Sequence, residues 1–470
     1  LFGYQAGNAI ADGDDNNTMI GHMAGLATTG ASNTYLGFSA GKGASGAEAN
    51  NVGIGSQALL AVSTGTNNVA IGKDSSTRLS TGNNNISIGK DSLYYGSTQT
   101  ADNVAIGYNS MAGDFGVAAV IDCVTIGSGS LLGVLTAAAS GSVAIGKSAL
   151  AALTSGARNL AVGYQSLDAL TQADDNMAIG YQALTASANV NAARNMAIGS
   201  YALETLNADG RDNIAIGFEA LETANHADID GNVAIGNYVL DDVGEAGVWA
   251  CTGIGYNALT AVDNAGASGS TAIGYSALTA LTSGAGNTAV GYQAGNILTT
   301  GGTNTIIGYD ADVDANSRAG CIVIGSSLSL NTASDNVVEI GNNTNSMTYD
   351  LDGGDITVTS DVRTKKNIKD TKLGLEFINK LRPITYQTKS PSQYPKEFGI
   401  ENPSKKSSGK TWDGLIAQEV KEVMDEMEVG FSGWEEGINT KQRLAYGKFV
   451  MPLIKAVQEL TAKVEALENA

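Results

Sequence analysis

Ser360 and Lys365 stand five residues apart in the run Ser360-Asp361-Val362-Arg363-Thr364-Lys365-Lys366-Asn367-Ile368. A serine hydroxyl can attack the carbonyl immediately before it, here that of Thr359, through a five-membered ring. The product is an ester that water then opens, and the reaction needs only a base and an oxyanion site. A lysine serves as the base when burial brings its pKa from about 10.4 toward neutrality. The same two residues read equally as a helix N-cap and a solvated charge, and their spacing alone does not choose.

Other chemistry is sparse. His22 and His226 are the only histidines, which nearly excludes histidine catalysis and histidine-rich metal sites; both read as loop or repeat-surface residues. Asp310, Asp312 and Asp314 open like a calcium loop, but Ala315 replaces the required glycine and Cys321 the twelfth-position glutamate. Asp12, Asp14 and Asp15 read as a solvated turn. No cofactor and no metal is expected.

The elements that must position any site divide sharply near residue 359. All five prolines follow it, whereas 52 of the 60 glycines precede it. Nine of the 27 basic and 31 of the 47 acidic residues also precede it, so the first part carries −22 and the second +2. So acidic a segment repels nucleic acid and anionic membrane. No run approaches the roughly 18 apolar residues that would cross a bilayer. Neither nucleic-acid binding nor membrane insertion is expected.

The first part is one repeat. Asn68-Val69-Ala70-Ile71-Gly72, Asn103-Val104-Ala105-Ile106-Gly107 and Asn176-Met177-Ala178-Ile179-Gly180 are copies of a motif whose glycine recurs from Gly3 to Gly341 at intervals of 16 to 20 residues. The pattern predicts a stacked parallel β-solenoid of about twenty coils with insertions in loops. Alternation within the motif suggests that the two aliphatic residues build the core. The small residue between them would then face a second packed surface, most simply an identical chain. A second apolar pulse, as in Ala149-Leu150 and Ser166-Leu167, suggests two short strands per coil. Tyrosines after the glycines would stack from coil to coil.

Asn fills the slot four before the glycine in most copies, predicting an inward amide ladder. Cys123, Cys251 and Cys321 fill that same slot, so buried, reduced thiols are expected. The chain opens on Leu1 inside a repeat, so residues upstream of it are expected.

After the repeat, residues 355–359 read as a last strand, Leu373 to Leu381 as a short helix and Ile384 to Tyr386 as a strand. Residues 387–411 read as a loop, and Trp412 to Met427 as an apolar segment leading into a helix. Val450, Leu453, Val457, Leu460, Val464 and Leu467 recur at alternating intervals of three and four, the pattern of a short coiled coil. The domains are therefore read as 1–345 fibre, 346–359 last strand and linker, 360–446 small α/β domain, and 447–470 terminal helix.

Residues 360–368, then Gly414-Leu415-Ile416-Ala417-Gln418-Glu419-Val420, then the terminal helix together resemble the intramolecular chaperone peptidase domain of endosialidases and phage tail spikes. The repeats resemble the heads of trimeric autotransporter adhesins, which are left-handed β-rolls. The first resemblance implies a homotrimeric chaperone that templates the fibre and then cleaves itself off at Thr359-Ser360, with Ser360 as nucleophile and Lys365 as base. Thr364 departs from an aliphatic position of the family. Asp361, Arg363, Gln418 and Glu419 match the motif without an assigned role.

The implied protein is an extracellular virion tail fibre or spike that binds a host receptor or glycan and joins other tail proteins through its upstream region. A bacterial surface adhesin or a fibre with polysaccharide depolymerase activity is the alternative. Autoproteolysis is the only catalysis expected.

Overall fold

The computed structural model describes residues 1–10, 16–43, 46–96, 99–185, 192–206, 209–224, 226, 229–241, 243, 247–262, 265–330, 333–351, 356–358, 362, 365–394, 409–437 and 441–470. Two compact units divide the chain, Leu1–Thr359 and Ser360–Ala470. Among the described residues no helix is long and apolar enough to cross a membrane. Asp12, Asp14 and Asp15 lie outside the described residues.

The first unit is a parallel β-solenoid. β1 (Thr18–Ile20), β2 (Thr34–Leu36) and β3 (Val52–Ile54) begin a ladder of short strands, one per repeat, that runs to β18 (Ile322–Ser326) and β19 (Val337–Asn342). Each strand pairs in parallel with the next repeat, slot for slot: Ile179 lies between Val162 and Ile198. Phe2 bridges to Ile20, so the Gly3 repeat joins the stack. The parallel ladder ends at β19. β20 (Asn345–Asp350) pairs antiparallel with it, and β21 (Ile356–Val358) pairs antiparallel with β20.

The structure reverses the expected side-chain assignment. In the strand Met177–Ile179 it is Ala178 that is fully buried, while Met177 and Ile179 face outward and are half-buried. The same pattern holds for Ala70, Ala105, Ala144, Ala215 and Ala234. The interior is narrow: where the following turn supplies a leucine the strand contributes a small side chain, and where that turn carries Gly25 or Gly41 instead the strand contributes Met19 or Tyr35. The aliphatic ladder is therefore the outer face of the strand, with Ile86, Ile126, Ile273, Ile307 and Ile340 exposed.

A second expectation also fails: among the described residues each coil has one strand, not two. The apolar pulse forms turns in which Leu150, Leu167 and Leu184 adopt φ of +52°, +52° and +51°. Left-handed backbone costs a non-glycine residue about 1–2 kcal/mol. Two gains offset it. Each leucine is fully buried, worth about 1.5–3 kcal/mol, and its N–H donates to the next coil, Leu150 to the Ser166 carbonyl at 3.1 Å and Leu167 to that of Ala183 at 3.1 Å.

The asparagine ladder forms as the spacing predicts. Asn195 Nδ2 donates to Asn176 Oδ1 at 3.3 Å and to the Gly210 carbonyl at 2.9 Å, while Asn195 Oδ1 accepts the backbone N–H and the amide of Asn213 at 3.1 and 3.0 Å. The three cysteines are free and buried in that ladder. The Cys123 N–H donates to Asn103 Oδ1 at 2.9 Å, and burial pushes its thiol up to about 11. Tyr256, Tyr275, Tyr292 and Tyr309 stack at 5.4, 5.2 and 5.0 Å between centroids. His22 sits in a similar stack between Tyr4 and Phe38.

The core is not uniformly apolar. Ser87 takes the alanine slot, and its hydroxyl lies 2.7 Å from those of both Ser75 and Ser76. This buried hydroxyl layer falls between two apolar clusters, one ending at Leu79 and the other beginning at Leu93.

Two outcomes follow. Asn195→Leu removes an amide on which two coils depend and leaves buried backbone groups unpaired; it should cost about 3 kcal/mol, read as a lowered thermal midpoint. The Glu222 carboxyl is pushed up to about 7 by burial first, then by Glu219, Glu204 and Asp241. The folded chain thus holds a proton that the unfolded chain releases nearer the usual carboxylate range. Its stabilising contribution is complete below that range and is lost as pH rises through 7. Wild type should therefore lose thermal stability between pH 5 and 8, and Glu222→Gln should lose less.

Candidate functional site

The second unit is a small α/β fold around Phe377, Val420, Met424, Phe431 and Phe449. α1 (Leu375–Lys380) supplies Phe377, whose ring lies 5.4 Å from that of Phe431; Phe431 in turn lies 4.6 Å from Phe449. β22 (Ile384–Gln387) pairs antiparallel with β23 (Thr411–Gly414), and α2 (Ala417–Glu426) follows. β24 (Trp434–Glu436) pairs antiparallel with β25 (Gln442–Leu444), and α3 (Val450–Glu468) closes the chain. The helix and strand expected between residues 373 and 386 are therefore present, with the helix shorter than its sequence pattern. Residues 395–408 of the expected loop lie outside the described residues.

The block from Gly414 to Val420 is a strand-to-helix corner. A Cβ on Gly414 would collide with the Tyr446 hydroxyl and come within 3.0 Å of the Tyr386 ring. That hydroxyl accepts the Leu415 N–H at 2.9 Å, so Tyr446 satisfies a donor left over where the strand ends. Val420 and Met424, four apart, bury one face of α2. Glu419, which the sequence left without a role, is ion-paired to Arg382, with Nε 3.1 Å from Oε2. Lys380 reaches Glu426 at 2.6 Å. Both pairs tie α2 to the segment around α1. Gln418 is exposed.

Lys365 is exposed, and its N–H donates to the Val362 carbonyl at 3.0 Å. Thr359, Ser360, Asp361, Arg363 and Thr364 lie outside the described residues. The structure thus gives a place to one member of the expected pair and to the strand that precedes it, β21, but no Ser360–Lys365 distance. A lysine acts as a base near neutrality only where burial disfavours its charge, and its own chain does not bury Lys365.

α3 is two-sided. Pro452 and Ala456 are buried in the unit, while Val450, Leu453, Val457, Leu460, Val464 and Leu467 are all exposed. The apolar stripe seen in the sequence is therefore uncovered within one chain. In the first unit, the sequence-flagged Asp312 accepts the N–H groups of Ile297 and Val313 at 3.0 and 2.8 Å. Asp314 holds Arg318 at 2.6 and 2.9 Å. Among the described residues no group of three His, Cys, Asp or Glu side chains is arranged to hold a metal ion.

Sequence reasoning missed Tyr446, Tyr386 and Arg382. Each acts across the fold, 31 to 37 residues from its partner in Leu415 or Glu419 or packed against Gly414, so no local spacing announces it.

With this geometry in place, the family model described as chaperone of endosialidase matches residues 360–427. That family consists of self-cleaving chaperone domains. The match begins at Ser360 and spans both motif blocks, while α3 lies beyond it. Comparison with curated proteins and with solved structures found no match. A β-solenoid joined to such a domain is the organisation of a tail-fibre-like protein.

Gly414→Ala should displace Tyr446 and break the corner. We expect a loss of about 2–4 kcal/mol in the second unit, seen as an earlier unfolding step by near-ultraviolet circular dichroism. Tyr446→Phe should cost about 1–2 kcal/mol through the orphaned Leu415 N–H.

Proposed function

We propose that this chain is the subunit of a homotrimeric virion tail fibre or spike that binds a host surface, and that its second unit assembles the trimer and then cleaves the Thr359-Ser360 bond. The family match beginning at Ser360, immediately after the strand β21, is the observation that carries this reading. Two uncovered apolar surfaces support it: the Val/Ile ladder of the solenoid and the stripe on α3. Aliphatic rows of this length are ordinarily covered by a partner, and identical chains present identical rows. The resemblance read in the repeat sequence to trimeric adhesin heads favours three copies.

The chemistry needs no cofactor. The Lys365 amine takes the proton of the Ser360 hydroxyl as Oγ adds to the Thr359 carbonyl carbon. The tetrahedral oxyanion collapses, the C–N bond breaks and the Ser360 nitrogen receives the proton, leaving an ester between Thr359 and Ser360 Oγ. Water hydrolyses that ester to a Thr359 carboxylate and a free serine hydroxyl. Lys365 needs burial to act as a base, and packing of three copies around residues 360–368 supplies it. Cleavage thus waits for assembly.

Under denaturing conditions wild type should run as two chains, residues 1–359 and 360–470, while Ser360→Ala and Lys365→Met stay whole. In solution the Ser360→Ala protein should have three times the mass of one chain, and Leu453→Lys with Leu460→Lys should lower it. A folded wild type that stays whole would refute cleavage, and a monomeric mass for Ser360→Ala would refute the assembly.

A further inference from the structure

Most exposed aromatic rings that follow the marker glycines contact the ring of a neighbouring coil, face to face in Tyr275, Tyr292 and Tyr309 and edge to face from Tyr181 through Tyr201, Phe218 and Tyr238 to Tyr256. Trp249 differs: it is 48% exposed, and among the described residues it takes part in no ring stack.

Trp249 stands six residues before its marker glycine. On the preceding coil that slot holds Asp230 and on the one before it Arg211, and the three are linked by parallel bridges. The Arg211 N–H donates to Asp230 Oδ1 at 2.8 Å. In the adjoining slot Arg194 makes a two-pronged ion pair with Asp212, at 2.7 and 2.9 Å. On the next coil that slot is Gly231, where an added Cβ would meet nothing within 4 Å. The charged row is therefore interrupted beside the indole, leaving a shallow, open groove lined by Arg194, Arg211, Asp212, Asp230, Gly231 and Trp249.

We propose that this groove binds a pyranose unit of a neutral glycan, stacked through its C–H face on Trp249, with its hydroxyls bonded to Arg211 and Asp230. A pyranose has apolar faces and a polar rim. A half-exposed indole outside those ring contacts matches the faces, and a guanidinium beside a carboxylate supplies donors and an acceptor for the rim. The charge favours a neutral sugar: two arginines and two aspartates cancel within the groove, while the first unit carries −22 overall and repels polyanions. The inference rests on the reading of the solenoid as a surface-binding fibre and names what it binds.

The test uses the whole protein against immobilised gluco-, manno- and galacto-oligosaccharides and N-acetylglucosamine oligomers, with uronic-acid oligomers in parallel. Binding to at least one neutral probe is expected, weakened about tenfold or more in Trp249→Ala and less in Trp249→Phe. Tyr292→Ala should bind as wild type. Because Trp249 is exposed, its variants should keep the wild-type melting temperature and solution mass. Four results would overturn the inference: no neutral probe bound, preference for the uronic acids, equal binding by Trp249→Ala, or a change of solution mass in that variant. Host-cell binding is measured alongside. If cells are bound but Trp249 is immaterial, only the groove is wrong; if no cell surface is bound, the fibre reading fails.

Discussion

Successive coils approach so closely at the marker glycines that the rest of the solenoid is built around that approach. At Gly180 φ is +147°, and a Cβ there would run into the Gly199 carbonyl; the same collision recurs along the stack. No L-residue side chain fits both the dihedral and the space. The three-residue strand before each glycine therefore enters its turn in one way only, with its middle residue inward. The interior accepts a small residue from the strand with leucine from the turn, or a large one such as Met19 or Tyr35 where the turn carries glycine, and the aliphatic residues on either side are left outward. Left-handed leucines, costly alone, become tolerable because the bend delivers them to the core with their N–H groups aimed at the next coil.

A solenoid built this way keeps its polar ladder inside and its apolar ladder out. The buried asparagines do what a hydrophobic row could not, because each amide both donates and accepts along the stack and so satisfies backbone groups at the turn. Cysteine or serine tolerates the same slot with fewer bonds: Ser142 gives only one hydroxyl to the Asn159 N–H and the Gly156 carbonyl, at 3.4 and 3.3 Å.

Much of this was legible in the sequence, and the part that was not has a physical cause. The parallel stack, the asparagine ladder, the cysteine slot and the tyrosine stacks follow from residues recurring at one spacing, because a solenoid turns sequence recurrence into spatial adjacency. Which side of the strand faced inward was not legible. Period-two alternation distinguishes two faces without naming them, and the usual preference for large aliphatic cores pointed the wrong way. The expected second strand failed similarly, since Ala-Leu pairs carry no mark of left-handed backbone. In the second unit the helices, strands and terminal stripe were readable from local patterns, whereas Tyr446 and Arg382 act on partners more than 30 residues away. Ser360 and Lys365 stood out only through resemblance, since a serine and a lysine five apart are common.

The outward apolar ladder creates a difficulty that the terminal unit is suited to remove. Suppose identical chains associate along those ladders. A slip of one coil, about 4.7 Å, would set Val against Val and Ile against Ile at nearly every level, because neighbouring repeats differ so little. The energy difference between right and wrong registers then comes from the ends alone, and a long fibre could settle in the wrong one. A common starting point solves what side-chain complementarity cannot. The stripe on α3 spans fewer than three heptads and is marginal by itself, so it can align chains reversibly before the solenoids close. If the chain is cut at the boundary as proposed, the same weakness makes α3 dispensable once the ladders are matched.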